Sequence, residues 1–208
     1  MQRNSVKRLG ILIVTCFLFL GCYKNYTNYY PDGEDVGLTI FSNTGNNIMS
    51  CFIDGRPWRT IDRVQGGFSY VRTIYEVDII RQRTNSLMDT LFINWLGHYN
   101  NQEIPQGTVG LVLAIPKDFS YRDFSALQEQ RLSIDTTRNG FFYTGISGLS
   151  VGNPKGNGSI YFQKVQLDSI SPNRYSGSMS GLFEAGFPLF KITKGRFDEL
   201  LTEENIDL

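Results

Sequence analysis

Apolar and polar residues alternate over most of the chain beyond residue 36, and this period of two constrains the fold more than any other feature. In the segment 175–185, apolar or small residues occupy the odd positions and alternate with Ser176, Ser178, Ser180 and Glu184. The segment 71–79 alternates in the same way. Successive side chains of a strand point to opposite faces of a sheet, so this pattern predicts half-buried β-strands.

Further strands are predicted at 91–96, 109–115 and 160–167, and the second of these is apolar on both parities, which is typical of a strand covered on both faces. Four dipeptides with turn chemistry separate the predicted strands: Asp54-Gly55, Asn139-Gly140, Asn157-Gly158 and Pro172-Asn173. Asn-Gly and Asp-Gly favour two-residue hairpin turns because both turn positions need a positive φ.

One short helix is predicted between Ser120 and Arg131. Ser120 is a suitable N-cap, Asp123 stands three residues later, and Phe124 and Leu127 share one face. The chain has 208 residues with 21 glycines, which favours a single turn-rich domain. We therefore predict an all-β fold, a single antiparallel β-sandwich or a partly closed β-barrel, with at most one or two short helices.

The first 21 residues have the pattern of an export signal. Arg3, Lys7 and Arg8 precede an apolar run of twelve residues, Leu9 to Leu20. Twelve residues rise about 18 Å in a helix, which is well short of the roughly 30 Å hydrocarbon core of a bilayer. We therefore predict a signal peptide over residues 1–21 rather than a membrane-spanning helix.

The segment Leu18-Phe19-Leu20-Gly21-Cys22 resembles the lipobox of bacterial lipoproteins, with Phe19 at a position that usually holds an aliphatic residue. In that family the Cys thiol takes a diacylglyceryl group, the chain is cut before it, and the new amine is acylated. The resemblance implies lipidation of Cys22 and a mature chain of 187 residues that acyl chains hold on a membrane. An ordinary signal peptide that ends near a cysteine is the alternative.

The mature chain is mildly acidic. Removal of three basic residues with the signal leaves 17 basic and 20 acidic residues, a net charge of −3. With no basic block in the sequence, a nucleic-acid partner is not expected. We predict a flexible polar tether over 22–35, a β-domain over 36–208, and a location on the outer membrane, with its periplasmic or surface face left open.

Two segments resemble small all-β lipoproteins of unknown function from Bacteroidetes-type bacteria. The run Phe-Ile-Asp-Gly-Arg-Pro-Trp at 52–58 is similar to the opening hairpin of that family. The segments 175–181 and 191–198 are similar to its final hairpin. The resemblance implies an exported all-β domain and supplies no catalytic residue.

No catalytic, metal-binding or cofactor-binding set is evident. Cys51 is the one cysteine outside the signal and the lipobox, and its apolar run at 48–53 predicts a buried, inert thiol. His98 is the single histidine, so a zinc site of several His and Cys ligands is not available. A Ser-His-Asp triad lacks a Gly-x-Ser-x-Gly elbow, and paired carboxylates cannot be recognised in the sequence.

Four residues are candidates for ligand binding: Trp58, Trp95, His98 and Tyr99. Exposed aromatic rings beside hydrogen-bonding groups stack on sugars, and Arg56, Arg59, His98 and Asn100 lie nearby in the sequence. The alternative is that the tryptophans belong to the core, since Trp95 shares the parity of an apolar stripe in its strand.

Three short segments resemble the Asp-Ser/Thr-hydrophobic acceptor sequence for O-glycosylation in exported Bacteroidetes-type proteins: Asp89-Thr90-Leu91, Asp135-Thr136-Thr137 and Asp168-Ser169-Ile170. The acceptors would be Thr90, Thr136 and Ser169. The alternative is that Asp followed by Thr or Ser simply ends strands and turns.

These observations favour a non-enzymatic binding module, held on the membrane by its lipid anchor, with a glycan or an envelope protein as its partner. Two alternatives remain open. One is a glycan-acting hydrolase with carboxylates on loops, and the other is an adhesin or fimbria-like structural subunit that donates or accepts a strand.

Overall fold

The computed structural model describes residues 31–60, 63–67, 70–74, 77–99, 107–145, 155–172, 174–203 and 206–208. Within these ranges the chain forms thirteen strands and one helix: β1 (Ile48–Ile53), β2 (Arg56–Thr60), β3 (Arg63–Gly67), β4 (Tyr70–Ile74), β5 (Val77–Gln82), β6 (Met88–Tyr99), β7 (Gly107–Pro116), α1 (Tyr121–Ser125), β8 (Gln130–Ile134), β9 (Gly140–Gly145), β10 (Asn157–Ser171), β11 (Arg174–Gly186), β12 (Lys191–Leu201) and β13 (Ile206–Asp207). The predicted all-β fold class is confirmed.

Eleven of these strands form one sheet that curls strongly into a half-barrel. Its main path is β9-β7-β6-β2-β1-β12-β11-β10-β8, with β5 and β13 continuing from the side of β6, and β3 pairs with β4 separately. Phe141 and Gly156 exchange both backbone hydrogen bonds, at 2.9 and 2.8 Å. This bridge joins β9 to the start of β10 and brings opposite ends of the curled sheet together.

The core fills the inside of the half-barrel with large aromatic side chains. The Trp95 ring lies 6.0 Å from Phe183 and 5.4 Å from Phe197, centroid to centroid. Trp58 packs directly over Gly97, where an added Cβ would lie 2.5 Å from the indole ring. Burial of each large apolar side chain contributes about 1.5–3 kcal/mol, so this interior is the main source of stability.

The Asp54-Gly55 turn is confirmed. Both residues have positive φ values, 49° and 74°, and they join β1 to β2 in a two-residue hairpin. Positive φ at both positions defines a type I′ turn, whose twist matches that of the strands it connects.

Other predicted turns differ from the structure. Asn157-Gly158 lies inside β10, paired with Gly186 and Ala185, because Gly158 allows a close approach of β11 rather than a reversal of the chain. A Cβ at Gly158 would lie 2.0 Å from a backbone oxygen of β11. Asn139-Gly140 leads into β9 but forms no hairpin, since β8 pairs with β10 and β9 with β7. Asn173 of the fourth turn lies outside the described residues.

The predicted helix begins as expected but ends early. The Asp123 carboxylate accepts hydrogen bonds from the backbone N–H and the hydroxyl of Ser120, at 2.8 and 2.7 Å. The helix ends at Ser125 instead of continuing to residue 131. Glu129 has a φ of 60°, and its N–H donates to the Phe162 carbonyl at 2.7 Å, which turns the chain into β8.

The alternating segment 71–79 is not one strand. Residues 71–74 belong to β4 of the small sheet and 77–79 to β5 of the large one, while residues 75 and 76 lie outside the described ranges. Val77 and Ile79 are buried, as their parity predicts. Local alternation therefore identifies the strands but not the sheet to which each belongs.

The N-terminal segment 31–47, which we call the strap, lies across the outer face of β1 and β12. Leu38 of the strap is fully buried. The backbone N–H of Thr39 donates to Ser50 Oγ at 3.1 Å, and Asn47 Oδ1 accepts the N–H of Leu200 at 2.7 Å. The strap therefore covers polar and apolar groups on the side of the sheet that faces away from the core.

The strap includes the last five residues of the predicted tether 22–35. Asp32 and Asp35 both form ion pairs with Arg196 of β12, at 2.6 Å each. This part of the predicted tether is attached to the domain because its two carboxylates neutralise a buried guanidinium. Cys22, the lipobox and the signal peptide lie outside the described residues.

Candidate functional site

One end of the half-barrel carries a cluster of aromatic side chains around an arginine. At this end β2 begins with Arg56 and β6 ends with Tyr99, and Trp58 is the register partner of Tyr99. Residues two apart on a strand share a face, so Arg56 stands on the same inner side of the sheet as Trp58. Arg56 and Tyr99 thus lie where the interior of the half-barrel opens to solvent.

Rings from two other segments of the chain complete this cluster. The Arg56 guanidinium carbon lies 4.7 Å from the centroid of the Tyr99 ring. Tyr143 of β9 packs edge-on against Phe190 at 5.6 Å, and Phe190 stacks on Phe187 at 4.3 Å between ring centroids. We call these five residues, Arg56, Tyr99, Tyr143, Phe187 and Phe190, the aromatic mouth.

The aromatic mouth is accessible and held in place. Arg56 is exposed, the four aromatic residues of the mouth are half-buried, and Leu189 in the turn with Phe187 and Phe190 is 90% exposed. The turns on either side are joined, since the Asp54 N–H donates to the Lys191 carbonyl at 3.0 Å and the Lys191 N–H donates to Asp54 Oδ1 at 2.9 Å. These two hydrogen bonds connect the Phe187–Phe190 turn to the turn before Arg56, and groups fixed before binding lose less entropy when a ligand binds.

Burial determines the protonation state of the Tyr99 hydroxyl. Desolvation raises the pKa of Tyr99, and the hydrogen bond with Tyr143 raises it further, while the Arg56 charge opposes both effects. The phenol therefore stays neutral at physiological pH. A neutral phenol both donates and accepts hydrogen bonds, as recognition of a hydroxyl-rich ligand requires.

The structure does not support stacking of a ligand on Trp58 or Trp95. Both indoles are completely buried, so neither presents a face to a ligand, and the core alternative is correct. His98 is 5% exposed and precedes Tyr99 on β6, so its side chain points to the opposite face of the sheet. Among the four candidate residues, Tyr99 lies in the aromatic mouth.

The sequence did not identify Tyr143, Phe187 and Phe190. Tyr143 shares the parity of the buried Phe141, so its inward orientation was accessible from alternation alone. The pairing of β9 with β7 and of β7 with β6 brings it within hydrogen-bonding reach of Tyr99, and no local pattern reveals this pairing. Phe187 and Phe190 lie in the turn between β11 and β12, where alternation gives no information.

The three candidate glycosylation sites differ in their surroundings. Thr90 is half-buried in β6, paired with β5 on one side and with β7 on the other, and Asp89 before it is engaged in ion pairs. Thr136 lies half-buried in the connection between β8 and β9, with a φ of 70°. Ser169 is exposed on β10, so it is the most accessible acceptor of the three in the folded domain.

Other groups with reactive chemistry serve the structure. Cys51 is buried, as predicted, and burial raises the pKa of its thiol, which disfavours the reactive thiolate. The carboxylate of Asp89 joins Arg81 and Lys117 at 2.8 and 2.7 Å. In the described part of the chain, no group of three or more His, Cys, Asp or Glu side chains is arranged to hold a metal ion.

No described helix has the length and apolar character needed to cross a membrane.

The fold and this site define a class of protein: an all-β half-barrel with a preformed aromatic mouth at one end. The chain matches no protein-family model, no curated protein and no solved structure at a significant level. The function must therefore be argued from the residues of the mouth themselves.

Proposed function

We propose that this protein is a lipid-anchored lipoprotein of a bacterial envelope whose half-barrel binds a glycan at the aromatic mouth without cleaving it. The observation that supports the proposal is the exposed Arg56 on the Tyr99 ring, together with the packed rings of Tyr143, Phe190 and Phe187. Ligand sites are frequent in the mouths of β-barrels, where a few polar groups converge among apolar and aromatic walls.

The chemistry of the aromatic mouth fits a sugar. The apolar C–H faces of pyranose rings pack on phenyl and phenol rings, and hydroxyl groups pair with phenols and guanidinium groups. The five side chains of the mouth include no carboxyl group, whereas glycosidases require two that flank the scissile bond. Binding is therefore favoured over hydrolysis.

Phe190→Ala and Tyr143→Ala are expected to weaken glycan retention about tenfold each, because each removes a ring that the ligand would contact. Retention is measured by electrophoresis through gels that contain pectic galactan, xylan or polygalacturonate. Tyr121→Ala is the matched control, since Tyr121 is a half-buried aromatic residue of α1, outside the mouth.

The same preparations separate the alternatives. Reducing ends released from the retained polysaccharide would indicate a hydrolase. A stoichiometric protein that co-purifies, with no glycan retained, would indicate a structural subunit. Unchanged retention in the Phe190 and Tyr143 variants would remove the aromatic mouth from the proposal.

The lipid anchor has its own test. Cys22→Ser is expected to move the protein from the detergent-rich to the aqueous phase in a phase-partition experiment, because two or three acyl chains hold a protein far more firmly than one. Intact mass should show the acyl chains on the wild type alone. Cys51→Ser is the control and should partition as the wild type does. A Cys22→Ser chain that is cut at the same place and stays in the detergent phase would contradict the anchor.

A further inference from the structure

Arg56 is a cation in contact with an aromatic ring. Within the described residues no carboxylate forms an ion pair with Arg56, although Arg81 and Arg196 both pair with aspartates. Arg56 is nevertheless held against the face of Tyr99, at 4.7 Å from the ring centroid. An exposed arginine side chain usually loses considerable rotamer freedom when it binds a ligand. The contact with Tyr99 already restricts the Arg56 side chain, so less conformational entropy remains to be lost on binding.

No described residue accepts a hydrogen bond from the Arg56 guanidinium, so its N–H groups are available to a ligand. A guanidinium presents these donors in one plane with a fixed geometry. This fork of donors matches the two oxygens of a carboxylate or a sulfate, and such bidentate pairs are the strongest hydrogen bonds of proteins.

Two exposed lysines flank the aromatic mouth, and the acidic Asp54 lies two residues before Arg56. Lys191 is exposed at the start of β12, and Lys155 is exposed next to Gly156, which contacts the Phe187 ring. Asp54 is the acidic residue of the adjacent turn, and its Oδ1 accepts the Lys191 backbone N–H. Residues 22–208 carry a net charge of −3, so a general attraction for polyanions is not expected from composition.

We propose that the glycan bound at the aromatic mouth is acidic, and that Arg56 binds its carboxylate or sulfate group while the neighbouring rings pack against the sugar. This inference rests on the proposed function and names the ligand class of the same site. The observation that supports an acidic ligand is the position of the Arg56 guanidinium, which lies against the Tyr99 ring at the edge of the aromatic mouth.

The test compares acidic with neutral polysaccharides on the full lipoprotein in detergent. Retention should be at least about tenfold stronger in gels of polygalacturonate, alginate or chondroitin sulfate than in neutral pectic galactan, and it should weaken steeply with added salt. Arg56→Gln should lose about tenfold or more of this retention, and Arg56→Lys should be intermediate because it keeps the charge but not the fork. Arg122→Gln is the control, since Arg122 also lies over a tyrosine ring, at 5.7 Å, on α1.

Each result decides the inference. Equal retention by galactan and by the acidic polymers, lost in Phe190→Ala but not in Arg56→Gln, would overturn the acidic ligand and leave the proposed function standing. Retention of an acidic polymer that survives Arg56→Gln, or falls equally in Arg122→Gln, would overturn the role of Arg56. Retention by none of the acidic polymers would also overturn the inference, and loss of binding to every polysaccharide would overturn the proposed function with it.

Discussion

Arg196→Met is expected to destabilise the domain by about 2–4 kcal/mol. The Arg196 guanidinium is almost completely buried between the sheet and the strap. It donates to Asp32 Oδ2 and Asp35 Oδ2 at 2.6 Å each and to the Thr39 carbonyl at 3.0 Å. Methionine fills much of the same volume but leaves both carboxylates without their buried counter-charge and the carbonyl without its donor.

The expected loss is below that of a fully buried ion pair, because the Asp32 and Asp35 side chains keep 20% and 15% of their exposure and can be rehydrated. Urea unfolding followed by the fluorescence of the two buried tryptophans measures the loss. Lys194→Met is the matched control: Lys194 pairs with the same Asp35 but is 56% exposed, so its removal should cost less than about 1 kcal/mol. Equal losses in the two variants would show that Arg196 does not hold the strap.

The same contacts give the domain an acid-sensitive component. The backbone N–H of Glu34 and the Arg196 guanidinium lower the pKa of Asp32, and hydrogen bonds from Lys194 and Arg196 lower the pKa of Asp35. A lowered pKa in the folded state stabilises the protein above the ordinary Asp pKa, and this contribution is lost as the pH falls below it. Arg196→Met should therefore make stability less sensitive to acid.

Glu199→Gln is expected to stabilise the protein by several kcal/mol above pH 8 and to have little effect near pH 4.5. Glu199 of β12 is completely buried, and the group that faces its carboxyl oxygens in the described part of the chain is the equally buried indole N–H of Trp95. Burial raises the pKa of Glu199 to about 8, the charge of the adjacent Asp198 raises it too, and the neighbouring Trp95 opposes both.

Proton linkage determines whether stability rises or falls with pH. The folded protein keeps a proton on Glu199 that the unfolded chain releases above its ordinary pKa of 4.5, so the folded state loses stability as the pH rises from about 4.5 to about 8. Glutamine has a similar shape and cannot ionise, so the stability of the variant should not decline in this way. Thermal unfolding of both proteins between pH 5 and pH 9 measures the change of stability with pH.

Glu184→Gln is the control, because Glu184 is exposed on the outer face of β11 and tests the loss of a surface charge alone. Parallel pH profiles for the wild type and Glu199→Gln would contradict the prediction. A variant that is less stable at every pH would show that the buried carboxyl group packs better than the amide and that its ionisation does not limit stability.

Local sequence patterns predicted more of the fold than of the site. The Asp54-Gly55 turn, the Ser120 cap and the inward stripe that includes Trp95 each depend on residues close in the chain, and the structure confirms them. The Asn157-Gly158 dipeptide has the same local chemistry as a turn. Its place inside β10 depends on the approach of β11, which no local pattern contains.

The aromatic mouth depends on contacts between distant segments. Arg56, Tyr99, Tyr143 and the Phe187–Phe190 turn come from four parts of the chain, and strand register and sheet curl bring them together. The sequence identified Tyr99 and two tryptophans as candidates because all three are aromatic. It did not reveal that the curled sheet buries both tryptophans and leaves Tyr99 half-buried at the mouth.

The sequence by itself determined most of the strands, the Asp54-Gly55 turn, the burial of Cys51 and the expectation of an exported, lipid-anchored chain. These follow from the alternation of side chains, from backbone preferences and from a short N-terminal motif, all of which act over a few residues. Only the tertiary structure decided which strands pair, that the strap neutralises Arg196, and which rings remain open at the mouth. Those outcomes depend on register and curvature, which arise from packing between residues far apart in the chain.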